Sequence, residues 1–169
     1  MKVASLVCIL LAVVFAAAEN LPDKFFGTFD INRSVNFTEY WEAKGYGYTT
    51  RWRFITRAGV TKVITKTGDD TFNFDSLSTK KDLKYKDIKL GEEFIGEGWD
   101  GSNHTITFSF KDGVLYEKHV PTDMDAEQKE DEYRFHFEED EYRFHFEEDE
   151  LVQTLEYNGV IAKKYFKRI

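Results

Sequence analysis

Four histidines, His104, His119, His136 and His145, have the widest catalytic reach of any side chains in this 169-residue sequence. A metal site would set two of them three or four residues apart, or pair them with thiolates. None is so spaced, and the single cysteine, Cys8, lies in an apolar N-terminal run. Acidic residues crowd positions 123–132 without the alternating oxygen ligands of a calcium loop. The chain carries no Gly-x-Ser-x-Gly, phosphate loop or dinucleotide fingerprint. These residues point away from an enzyme, a metal and a cofactor. What remains is non-covalent recognition by large side chains: 17% of the residues are aromatic.

Such side chains need elements to position them. Phe29 and Ile31 alternate as in a strand, and then the period changes. Asn36 is the expected N-cap of a helix over 37–44, on which Phe37, Tyr40 and Trp41 recur at helical spacing. Gly45-Tyr-Gly47 marks a turn, 48–55 reads as a second short helix, and Gly59 closes the helical region. From there the period is two. Candidate strands run over 61–67, 71–77, 83–90, 94–100, 104–111, 114–120, 142–146, 151–158 and 160–167, separated by turn signals. Asn158-Gly159 is a strong hairpin cue. A first strand near 27–31 makes ten, at the spacing of an up-and-down barrel or a sandwich.

Residues 1–18 read as a secretion signal, with Lys2, an apolar core over 3–15 and the small residues Ala16-Ala17-Ala18. The apolar run is too short for a membrane span. Cleavage would leave one domain over 19–169, thiol-free because Cys8 goes with the signal. Extracellular domains often rely on disulfides, so this one must be stable without them. The formal net charge of −8 argues against a nucleic-acid partner, which calls for a basic face. The expectation is a monomer in an extracellular fluid. Asn32, Asn36 and Asn103 head glycosylation sequons, and a glycan on Asn36 would conflict with a helix cap there.

Residues 130–138 read EDEYRFHFE, and 139–147 repeat them unchanged. Eighteen strand residues would span about 60 Å at ~3.3 Å each, so one copy must leave a small barrel. Nine is odd, and threading the insert straight through would turn every side chain to the other face. The copy beside Leu151, 142–146, is the better barrel strand, because a tight hairpin at 147–150 follows it. The first copy would then extend the polar loop over 121–132. A recent duplication with no role of its own is an equal alternative.

Gly27-Thr-Phe29 followed by Asn36-Phe-Thr-Glu39 resembles the opening of the intracellular lipid-binding protein family, which binds fatty acids and retinoids. Leu90-Gly-Glu-Glu-Phe94, Lys111-Asp-Gly113 and the ending Asn158-Gly-Val-Ile-Ala-Lys-Lys-Tyr-Phe166 extend the match. The signal, Asn20-Leu-Pro-Asp-Lys-Phe-Phe-Gly27 and Ala43-Lys-Gly-Tyr-Gly47 are most similar to the secreted nematode fatty-acid-binding proteins. The resemblance implies an all-β, ten-stranded antiparallel barrel, the calycin-like β-clam, with a helix-turn-helix lid between its first two strands. It also implies a long-chain fatty acid or related lipid held inside. In the family an Arg-x-Tyr on the last strand and a cation two strands earlier hold the carboxylate. Those positions fall on Lys164, Phe166 and Phe144 here, a departure at all three. Lys164 keeps the charge without the bidentate fork, and Phe166 has no hydroxyl to donate. With the last strand one step out, Lys163 and Tyr165 would face inward instead. Arg143 or Arg134 could supply the missing cation. The resemblance further places Phe37, Tyr40 and Trp41 at the ligand tail and the portal, or in ordinary packing of the lid.

Near that portal lie Lys80, Lys81, Lys84, Lys86 and Lys89. They are candidates for transient contact with anionic membranes, or simply solvated lysines that protect a strand edge. Two other functions stay open. One is a lipocalin-type carrier, disfavoured by the early helices. The other is a fluid storage or structural protein that has lost ligand binding.

Overall fold

The computed structural model describes residues 20–45, 47, 59–122 and 140–169. The expected secretion signal, the expected second lid helix, the first nonamer copy and Arg134 lie outside the described residues. A 3-10 turn at Asp23–Phe25 leads into β1 (Gly27–Val35) and the short helix α1 (Phe37–Ala43). Nine strands follow: β2 (Val60–Lys66), β3 (Thr71–Ser78), β4 (Leu83–Lys89), β5 (Glu93–Glu97), β6 (Asn103–Lys111), β7 (Val114–Pro121), β8 (Asp140–Glu147), β9 (Glu150–Tyr157) and β10 (Val160–Arg168).

The ten strands form one antiparallel sheet in the order β4-β3-β2-β1-β10-β9-β8-β7-β6-β5. This is a meander closed by the pairing of first strand with last, and it makes a nearly closed barrel. The seam is between β4 and β5, the two edges of the sheet. Alternation decides what faces in. On β3, Phe72, Phe74 and Ser76 are buried, and on β7 Leu115, Glu117 and His119 are. Two hairpins owe their tightness to residues that accept positive φ: Asn158 at 47° with Gly159 at 79°, and Asp112 at 52° with Gly113 at 80°. Both φ values positive is the type I′ pattern, whose twist matches that of paired strands.

Three expectations need correction. β1 does not stop at Ile31 but runs to Val35, with a bulge between Ile31 and Arg33 that absorbs one residue and keeps the strand paired with β10. Asn36 is not a side-chain cap. It sits in the left-handed region at φ 58°, and its Nδ2 donates to the Ile161 carbonyl at 3.2 Å. The fifth strand ends at Glu97, after which Gly98–Gly101 turn back, with Gly101 N–H donating to Gly98 O at 3.1 Å. The repeat adjacent to Leu151 forms β8.

Candidate ligand-binding site

The barrel has two unlike ends. Away from α1 it is plugged by Leu21 and Phe25, and Phe25 meets Phe110 and Phe146 edge-on at 5.5 and 5.1 Å. Further in, Phe108 contacts Phe72, Phe74, Tyr85 and Phe94 at ring-centroid distances from 5.1 to 6.3 Å. Beneath α1 a cavity of ≈ 160 Å³ opens, lined by Ile31, Ser34, Phe37, Trp41, Trp99 and Lys164 among others. Drug-sized ligands usually occupy about 300–1,000 Å³. A long lipid chain therefore has to displace interior side chains or extend through the portal.

Each residue singled out in the sequence has a definite place. Lys164 lies on the same face of β10 as the buried Ala162 and Phe166 and lines the cavity. Lys163 faces outward, where its Nζ pairs with Glu147 at 2.6 Å, and Tyr165 stacks outside beneath the Arg33 guanidinium, 3.6 Å from its ring. On β10 the inward lysine is thus Lys164, and Lys163 and Tyr165 lie on the outer face. Phe144 and Phe166 are fully buried. Arg143 is corrected: it points out of the barrel and pairs with Glu156 at 2.7 Å, because its odd position on β8 is out of phase with Phe144. It supplies no interior charge. Phe37 and Tyr40 are buried against Leu155 and Ala162, and Trp41 packs beside them at the cavity mouth.

Sequence reasoning missed most of the polar interior. Lys62 is only 2% exposed, and its Nζ donates to Ser76 Oγ at 2.6 Å. Glu117 and His119, each 3% exposed, share a 2.9 Å hydrogen bond. Gln153 is buried between Phe144 and Lys164 in the cross-strand row of β8, β9 and β10. Parity could have found all of them. Lys62 sits in phase with Val60 and Ile64, Ser76 with Phe72 and Phe74, and Glu117 and His119 with Leu115.

Electrostatics single out the two lysines. Burial pushes the Lys62 ammonium down to about 8, against an opposing pull from the Glu117 charge. Lys164 is also held at about 8, first by desolvation and then by repulsion from Lys62. Part of the Lys164 side chain still meets solvent at the cavity mouth, so water moderates its shift more than that of Lys62. The Lys164 ammonium lies 4.9 Å from the Phe37 ring, and no hydrogen bond or ion pair engages it among the described residues.

The lysines of the β3–β4 region are matched locally. Lys81 pairs with Glu97 at 2.7 Å, Lys86 with Asp75 at 2.8 Å, and Lys84 and Lys89 with Asp82 and Asp70, both at 3.4 Å. A second polar knot joins Asp100, Ser102 and His104, but serine and aspartate both approach Nε2 of the histidine and its buried Nδ1 has no partner. That arrangement cannot relay a proton from serine to aspartate through the ring.

No family model matches the chain. Among individual proteins, it is 41% identical over 167 residues to fatty acid-binding protein homolog 1 of Caenorhabditis elegans, covering 98% of both chains. It is 37% identical over 170 residues to the fatty acid-binding protein homolog of Ascaris suum, covering 98% of this chain and 97% of that one. The solved structure of As-p18, an extracellular fatty acid binding protein, matches with a TM-score of 0.78 and 37% identity over 89% of this chain and 100% of that one. A Schistosoma mansoni fatty acid binding protein, solved with arachidonic acid, shares the fold at a TM-score of 0.67 and 22% identity, covering 87% and 97%. With a barrel of this topology and relatives of this identity over nearly its whole length, the chain belongs to the fatty-acid-binding protein family.

Proposed function

We propose that this protein is a secreted, monomeric carrier that holds one long-chain fatty acid inside its barrel, with the carboxylate at Lys164 and the chain against Phe37, Tyr40 and Trp41. The observation that carries this is Lys164 itself, an inward-facing ammonium on the last strand with no acceptor of its own among the described residues. A buried cation without a counter-charge is costly, and a ligand carboxylate supplies one. The chain contributes affinity through burial, at about 0.8 kcal/mol per CH₂. Phe144 and Phe166 give apolar wall where the family has polar groups, so a lysine replaces the usual bidentate clamp. Export rests on residues 1–18 as a cleaved signal, and the extracellular relative As-p18 supports it.

The non-binding, storage reading has one observation in its favour, the modest cavity beneath α1. Titrating the purified protein with a fluorescent fatty acid separates the two. The carrier gives saturable, one-to-one binding that oleate displaces, whereas a storage protein gives none. Direct membrane docking through the portal lysines has weaker support, because carboxylates already pair with four of the five. N-terminal sequencing of the protein from culture medium should begin near Glu19, and retained Met1 would refute export by cleavage.

A further inference from the structure

Two cations, not one, enter the barrel interior. Lys62 comes from β2 and Lys164 from β10, on either side of β1 in the sheet. The Lys62 ammonium reaches across the interior. It lies 5.3 Å from the centre of the Phe144 ring, and Phe144 shares a cross-strand row with Gln153 and Lys164. Desolvation first, and then repulsion from Lys62, lowers the pKa of Lys164, as fits two ammonium groups that face one interior. Neither is neutralised by a direct ion pair among the described residues. Lys62 donates to the neutral Ser76 hydroxyl at 2.6 Å, leaving two of its three protons for other acceptors. The buried carboxylate of Glu117 is turned onto His119 at 2.9 Å. Deep in the chamber two lysines, Lys62 and Lys164, face one carboxylate, Glu117, while Lys81 at the cavity mouth and Asp100 beside His104 have partners of their own. A cavity of low polarity does not tolerate such an excess cheaply, and a single anion closes the balance.

We propose that Lys62, oriented by Ser76, is the second arm of an anion clamp completed by Lys164, and that Glu117 sets the clamp to accept lipids whose head carries one negative charge. The inference rests on the carrier reading above and adds the headgroup's position and charge. A carboxylate placed between β2 and β10 meets both ammonium groups. A neutral alcohol leaves their mutual repulsion intact. A dianionic phosphate overshoots the balance by one charge and meets Glu117 unscreened. The other polar groups facing this space are His104 with Asp100 beside it, His119, Tyr85 and Gln153, and at the cavity mouth Ser34, Ser78, Lys80 and Lys81, of which Lys81 pairs with Glu97.

Calorimetric titration of the purified protein with oleate, oleyl alcohol and oleyl phosphate at pH 8 tests the clamp. Oleate should bind at least tenfold more tightly than either of the others. Lys62→Met should weaken oleate tenfold or more and change oleyl alcohol less than twofold, while Lys62→Arg keeps most of the oleate affinity. Glu117→Gln should move the preference from oleate towards oleyl phosphate. Should Lys62→Met fail to fold, the wild-type protein still decides. Its oleate affinity should fall severalfold between pH 7 and 9.5 as the lysines lose their protons, with oleyl alcohol unchanged. Oleate binding that needs Lys164 but ignores Lys62→Met would overturn the clamp alone. So would equal loss of oleate and alcohol, or a flat pH profile. Wild-type protein that binds none of the three lipids would overturn the carrier reading beneath it.

Discussion

The two ends of the barrel are built from the same strands yet solve opposite problems. At the closed end, Phe25, Phe29, Phe72, Phe108 and Phe146 interlock edge-to-face, and nearly every inward position is apolar. Elsewhere in the interior the inward positions of β2, β3, β7 and β9 carry Lys62, Ser76, Glu117, His119 and Gln153, and Lys164 on β10 reaches the cavity beneath α1. The first region converts burial into stability. The second spends some of that stability on charges held away from water. The chain thus folds as a half-core, half-chamber, and its lack of disulfides is offset at the aromatic end.

The largest effect should come from breaking the aromatic end. Phe108 is fully buried among four aromatic rings, so Phe108→Ala should cost about 3–5 kcal/mol in chemical denaturation. A loss under 1 kcal/mol would mean that the interior is loosely packed.

The polar end should respond to pH with the opposite sign. Lys62 and Lys164 lie near 8 in the folded protein against an ordinary value of 10.5, so the unfolded chain binds more protons between those values. Ligand-free stability should therefore rise with pH across that window, by about 1–3 kcal/mol, while below 8 the penalty is fully present. Burial pushes the Tyr85 hydroxyl up, which opposes the rise once unfolded tyrosine ionises near 10. The rise is thus to be sought between pH 8 and 10, by urea unfolding at each pH. Lys62→Met should flatten it and stabilise the ligand-free protein at pH 7. A flat wild-type curve would place both ammonium groups in water.

Smaller effects mark what lies outside the comparison. Deleting 130–138 should leave stability within about 1 kcal/mol of the parent, because the retained copy already supplies β8. Loss of folding would make both copies structural. Arg143→Ala, at an exposed ion pair, should cost less than about 1 kcal/mol and leave lipid affinity unchanged. A tenfold loss of affinity would return Arg143 to the ligand site.

Much of the fold was legible because strand periodicity and turn chemistry act locally. Asn158-Gly159 and Asp112-Gly113 announced their hairpins, whereas the inward face of β10 rested on the family resemblance aligned at Asn158-Gly-Val160. The bulge in β1 was not legible, since it depends on how Ile31 and Arg33 meet β10, a partner more than 130 residues away. The site was half legible. Lys164 stood where the family resemblance pointed. Lys62 and Glu117 were passed over because each is a single charged residue in a strand, and only the closure of the barrel brings β2, β7 and β10 to a common interior. Arg143 was one of two candidates for the missing cation, and its parity with Phe144 already spoke for the outside.

If the open end buries a lipid carboxylate against an ammonium group, carbon-13 NMR of carboxyl-labelled palmitate bound to the protein will register it. One bound carboxyl resonance should stay ionised well below the pH at which fatty-acid carboxylates in water or at a surface take up a proton. A bound signal that titrates as a solvent-exposed carboxylate, or no bound signal at all, would contradict it.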